Sequence, residues 1–210
     1  MLHYWRCYSV IALLFGLSFT VVAQEVRVAV ASNFYHTLAA IIQPFEQKTG
    51  IKVKLSAGSS GLLYAQIVRG APFDLFFSAD QQRPQLLEEQ LLAISRKTYV
   101  YGRLALWTPQ PKLASSSLSS DNLLAKERFL ANTQQPLVMA NPRLAPYGKA
   151  AEQTLASLAI PLNNQGKRIL ANNISQAYQF IDSGNANAGF VAYSLLIAQH
   201  NKTKQEQKKE

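Results

Sequence analysis

The chain is poor in the residues from which reactive sites are usually built. Among 210 residues there is one cysteine, Cys7, and of three histidines only His36 and His200 lie beyond residue 23. Beyond that point a disulfide scaffold and a thiol enzyme are excluded. His36 belongs to an amphipathic segment and His200 to a polar tail, so neither is placed as a general base. No His/Cys set has the spacing of metal ligands, and no cofactor or directly ligated metal cation is expected. Acidic residues are also scarce, 12 against 21 lysines and arginines, for a formal charge of +9. The basic residues are scattered singly, without the stripe and interleaved aromatics of a nucleic-acid binder, and no nucleic-acid partner is expected. Such a balance draws anions by its long-range field and favours solubility, but it names no ligand.

The one long apolar run is N-terminal. Arg6 precedes VIALLFGLSFTVVA at residues 10–23, and Val21 and Ala23 have the spacing read by an export peptidase. This predicts a secretory signal peptide over residues 1–23, cleaved after Ala23, and a periplasmic protein. The competing reading is a membrane anchor, since residues 7–24 are uncharged and barely long enough to span. Cys7 precedes the apolar core, whereas a lipid-anchoring cysteine follows it. Cleavage would remove Arg6 alone among charged residues, leaving +8.

The remainder reads as strands and helices in alternation. Strands are expected at residues 26–31, 51–55, 74–77, 137–140 and 188–192, with a long extended stretch at 96–108. Helices are expected from Phe34 to Gly50, at 62–68, from Asp80, at 121–130, at 147–158 and at 174–182. Pro44 is expected to bend or shorten the first helix and Gly50 to end it. Gly58, Ser59, Ser60 and Gly61 read as a flexible turn, and residues 110–120 as a loop. Alternation with short turns implies parallel sheets covered by helices, an α/β fold. The division expected is a first lobe at 24–101, a second at 102–200 and a polar tail at 201–210.

Several strands run into turns that open helices: Ser32-Asn33, Ser59-Ser60, Pro146-Tyr147-Gly148 and Asn173-Ile174. In open α/β folds ligands sit beyond the carboxyl ends of strands. Helix starts there offer unpaired N–H groups and the positive end of a dipole, a natural seat for an anion. Each serine and asparagine is equally a preferred helix cap, Tyr147 an ordinary core-edge aromatic and Ile174 plain packing. Composition and spacing alone therefore reach an α/β chain suited to an anion, and no further.

At these residues the chain resembles the periplasmic molybdate-binding proteins, a family of type II solute-binding proteins. The likeness spans residues 24–199. It rests on VAVASNF (28–34), the Gly-Ser-Ser-Gly turn, GAPFDLFFSAD (70–80), RLALWTP (103–109), ANPRLAPYG (140–148), NNISQAYQFIDSGNA (172–186) and GFVAYS (189–194). It implies a two-lobed fold with the oxyanion held between lobes by hydroxyls and main-chain N–H groups, with no cationic side chain. Carried over by motif, it implies Ser32, Asn33 and Ser60, the main chain of Tyr147 and Ile174, and Ser59 and Asn173 as supporting neighbours. The last-strand tyrosine of some members falls at Ala192 here, and Tyr193 is expected on the opposite face, so no tyrosine ligand is expected from that strand. Asp74 and Asp80 read as turn or cap residues outside the ligand shell, because a carboxylate would repel a dianion.

The implied function is capture of molybdate or tungstate by a monomer and delivery to the permease of an ABC importer. The alternatives are another oxyanion, such as sulfate or phosphate, and a shortened remnant that binds nothing. An exported hydrolase is disfavoured because Leu62 stands where a nucleophile elbow needs glycine. Family members usually continue beyond the point where this chain ends, with a strand and helix returning to the first lobe. The expectation is a C-terminally shortened form, less stable than full-length relatives and looser at its hinge.

Overall fold

The computed structural model describes residues 24–109, 136–159 and 168–206. The expected loop at 110–120 and helix at 121–130 lie outside the described residues.

Two small sheets carry the fold. The first is built from β1 (Glu25–Ala31), α1 (Tyr35–Thr49), β2 (Lys52–Gly58), α2 (Ser60–Val68), β3 (Leu75–Phe77) and α3 (Gln82–Glu89), in strand order β2-β1-β3. All three strands are parallel, which requires the intervening helices as crossovers. The second contains β4 (Leu104–Trp107), β5 (Leu137–Ala140), β6 (Arg168–Ala171) and β7 (Ala188–Ala192), in the order β4-β7-β5-β6. β5 is parallel to both neighbours, whereas β4 runs antiparallel to β7. Helices α4 (Pro146–Ser157), α5 (Ile174–Asp182) and α6 (Tyr193–Glu206) complete this half.

The second sheet holds the larger core. Ile174, Ala177 and Ile181 recur on one face of α5 and pack with Val138, Ala140, Ala171, Val191 and Ala192. On α4, Ala151 and Leu155 pack against Met139 and Phe190, while Tyr147 joins the cluster around α5. The first sheet buries less, with Val28, Val30 and Leu38 at its centre. Of the apolar face expected on α1 only Leu38 is buried, and Ile41 and Phe45 remain 54% and 41% exposed.

Several local expectations are corrected. Helix α1 continues through Pro44 to Thr49 and ends at Gly50, whose φ of 72° favours glycine. The proline is tolerated because Pro44 and Ala40, whose carbonyl it leaves without a donor, both face solvent. The Gly-Ser-Ser-Gly segment is not a loose turn. Gly58 ends β2, Ser59 caps α2, and Ser60 and Gly61 lie in its first turn. The extended stretch expected at 96–108 forms a strand at Leu104–Trp107, with Arg103 O accepting from Tyr193 N, whereas residues 96–102 join no ladder among the described residues. β6 is an additional strand, four residues long, that was not among the expected ones.

Candidate functional site

Register brings the serine turns together. Ala31 pairs with Gly58 at the carboxyl end of the first sheet, so Ser32 and Ser59 leave neighbouring strands side by side. Val30 pairs with Phe77, which brings residues 78–80 to the same edge. In the second sheet Ala140 pairs with Ala171, and the starts of α4 and α5 follow within a few residues.

The two carboxyl edges meet. Ser175 Oγ donates to Ser32 O at 3.1 Å, and Ser175 N to Ser32 Oγ at 3.4 Å. Ser194 Oγ donates to Asn33 O at 3.1 Å, and Asn33 Nδ2 to Tyr147 Oη at 3.4 Å. Gly61 N donates to Leu144 O at 2.8 Å. A side chain at 61 would stand only 2.6 Å from that carbonyl oxygen, so glycine is what permits the approach.

The expected residues fall into two groups by what their polar atoms already do. Ser59 and Asn173 are caps: Ser59 Oγ accepts from Leu62 N at 3.4 Å, and Asn173 Oδ1 from Gln176 N at 2.9 Å. Ser60, 1% exposed, accepts from Ala79 N at 2.9 Å. Ser32, 7% exposed, accepts from Ser175 N. Each of these hydroxyls accepts a backbone N–H, which leaves its O–H free to donate to a ligand. The main-chain N–H groups of Ser60, Tyr147 and Ile174, each the first its helix offers, have no protein acceptor among the described residues. Pro146 has none to offer, which makes that of Tyr147 the leading donor of α4.

The acidic residues nearby are occupied. Asp80 accepts from Ser78 Oγ and from Arg83 N, which caps α3, and pairs with the Arg83 guanidinium. That pair stands beside Gly61 and places no free charge at the edge. Asp74, expected near the cleft, lies instead toward the amino end of the first sheet, where it accepts from Arg27 N at 2.7 Å. Among the described residues no three His, Cys, Asp or Glu side chains converge as a metal site. Ala192 is fully buried, and Tyr193 is the first residue of α6 rather than part of the strand. A cavity of about 1100 Å³ adjoins the site through Asn33, Tyr147 and Ser194 and runs along β3, where Leu75 is exposed. Ser175, Ser194, Ala79 and Leu144 were not among the residues expected here. The two serines close the NNIS and GFVAYS segments, and that was their only signal.

Two α/β sheets meeting edge to edge over neutral hydrogen-bond donors have the architecture of a type II solute-binding protein. The profile of the bacterial extracellular solute-binding proteins matches residues 26–207, and the chain belongs to that family. It is 42% identical over 176 residues to the molybdate-binding protein ModA of Azotobacter vinelandii, covering 83% of this chain and 67% of that one. Identity to the ModA of Rhodobacter capsulatus is 38% over 191 residues, 90% of this chain and 72% of the relative. The solved structure of the Azotobacter vinelandii periplasmic molybdate-binding protein superposes with a TM-score of 0.70 at 39% identity, over 80% of this chain and 71% of that one.

Proposed function

We propose that this protein captures molybdate, or the similar tungstate, in the periplasm and hands it to the permease of an ABC importer. Ser32, Asn33 and Ser60 would contribute side-chain donors, and Tyr147 and Ile174 main-chain N–H groups. Residues 24–101 and 102–200 would act as two lobes that close on the ion, in a monomer released from its signal peptide after Ala23. The observation that carries this reading is the set of N–H groups at three helix starts that have no acceptor among the described residues, beside two serine hydroxyls that each accept a backbone N–H and keep their own proton to donate.

Taking a dianion out of water costs several kcal/mol per charge even after relaxation. Hydrogen bonds to a charged group return about 1.5–3 kcal/mol each, so roughly five converging donors are needed. One sheet edge cannot surround a tetrahedral ion with that many, and two opposed edges can. A fully deprotonated oxyanion suits such a lining. Hydrogen phosphate would bring an O–H that must compete for the one lone pair each serine hydroxyl has left after accepting a backbone N–H.

Calorimetry of the purified chain with molybdate, tungstate, sulfate and phosphate tests the proposal. Tight binding of molybdate and tungstate, with sulfate far weaker and phosphate silent, is the expected result. Preference for sulfate or phosphate would transfer the assignment to that ion, and heat from none of the four would overturn it.

A further inference from the structure

The Asn33 side chain is incompletely satisfied. Its Oδ1 is buried without a hydrogen-bond partner among the described residues. Its Nδ2 reaches Tyr147 Oη at 3.4 Å, long for such a bond. A buried carbonyl oxygen without a donor is unfavourable. A half-turn of the amide exchanges the two atoms. Oδ1 then accepts from the Tyr147 hydroxyl, and Nδ2 takes the place where no donor is at hand. An N–H in that place needs an acceptor, which an oxyanion at the sheet edges supplies. A phenol serves either orientation because it both donates and accepts. Burial pushes the Tyr147 phenol above its ordinary value, so the proton is retained at neutral pH.

What holds the phenol is the segment linking the two sheets. A side chain at residue 102 would overlap Tyr147 Oη and stand 3.1 Å from Cζ. Glycine lets the linking segment lie against the hydroxyl, and any larger residue would push the ring off Asn33.

We infer that the Tyr147 side chain is a positioning residue whose hydroxyl selects the Asn33 amide orientation that offers Nδ2 to the bound oxyanion, and that Gly102 keeps it in place. This role is separate from any use of the Tyr147 main chain, and it rests on the oxyanion reading above. It predicts that the Tyr147 side chain acts on affinity only through Asn33, although the two are 114 residues apart.

The test is a double-mutant cycle on the full chain, with Kd for molybdate measured by calorimetry and folding checked by thermal melts. Tyr147→Phe is expected to raise Kd roughly three- to tenfold. In an Asn33→Ala background the same change should alter Kd by less than about twofold, because its route to the ligand is gone. Gly102→Ala should reproduce the loss and add little to Tyr147→Phe. An unchanged Kd in Tyr147→Phe, or the same loss with and without Asn33, would overturn the inference while leaving the oxyanion reading intact. A wild-type chain that binds no oxyanion overturns that reading first, and this inference with it. If Gly102→Ala fails to fold, the cycle between residues 33 and 147 still decides.

Discussion

Ser59 and Ser60 are adjacent serines at one helix start, yet the structure gives them different work, and replacing each in turn separates capping from binding. In Ser60→Ala the N–H of Ala79 loses the oxygen it donates to at 2.9 Å. A donor left unpaired in so enclosed a place, where Ser60 is 1% exposed, costs about 1–2 kcal/mol. At this chain length that lowers Tm by roughly 2–8 °C. The bound ion also loses one charge-assisted hydrogen bond, about 1.5–3 kcal/mol, which is roughly a 10- to 150-fold rise in Kd. In Ser59→Ala the helix loses its cap to Leu62 N, which costs about 1 kcal/mol of stability. That hydroxyl faces its own helix, so affinity should stay within about threefold. Calorimetry with molybdate and thermal melts on both variants give the comparison. A Ser60→Ala protein that is folded and binds molybdate within twofold of wild type would refute the assignment of an outward-pointing donor. Equal affinity losses in both variants would refute the division of labour.

Three further outcomes follow from local geometry. Gly148→Ala should cost about 1–3 kcal/mol or more, seen as a lower denaturant midpoint, because the new methyl overlaps Ala140 O and stands 2.8 Å from two backbone carbons that cannot yield. Leu91→Gly should instead stabilise the protein by about 0.5–1 kcal/mol in the same assay, because Leu91 holds a φ of 57° while 91% exposed and buries little that would be lost. Burial holds the phenols of Tyr99 and Tyr147 above their ordinary value, Tyr99 at about 12, while burial and then the Asp182 carboxylate push Tyr178 up to about 12. These folded values lie above the unfolded ones, so their stabilisation is complete below about pH 10 and lost as pH rises through 12. The denaturant midpoint should fall across that window as tyrosinate absorbance grows, and a midpoint unchanged to pH 12 would contradict the shifts.

Much of the architecture was legible along the chain because it is set by local pattern. α5 was expected at 174–182 and runs Ile174–Asp182, since Asn173 caps it and its apolar residues recur at helical spacing. β5 and β7 likewise match their expected bounds, being short apolar runs between turn residues. Residues 96–102 have the tyrosines and valine of a strand but join no ladder among the described residues, and pairing is decided by the sheet. The passage of α1 through Pro44 also depended on context, because solvent meets the carbonyl that the missing N–H would have bonded.

For the site, the order of chemistry-bearing turns along the chain was determined by sequence alone: serines and asparagine after strands, and glycine or proline where helices begin. The resemblance carried by those turns, rather than composition, implied a ligand held by neutral donors, since the 21 lysines and arginines are scattered singly and name no anion. Only tertiary structure decided which serine caps its own helix and which accepts a backbone N–H from elsewhere, Ala79 for Ser60 and Ser175 for Ser32. It also decided that Asn33, Tyr147 and Gly102 share one contact. A hydrogen bond depends on distance and direction in space, and nothing in the spacing of residues along a chain encodes either across a hundred positions.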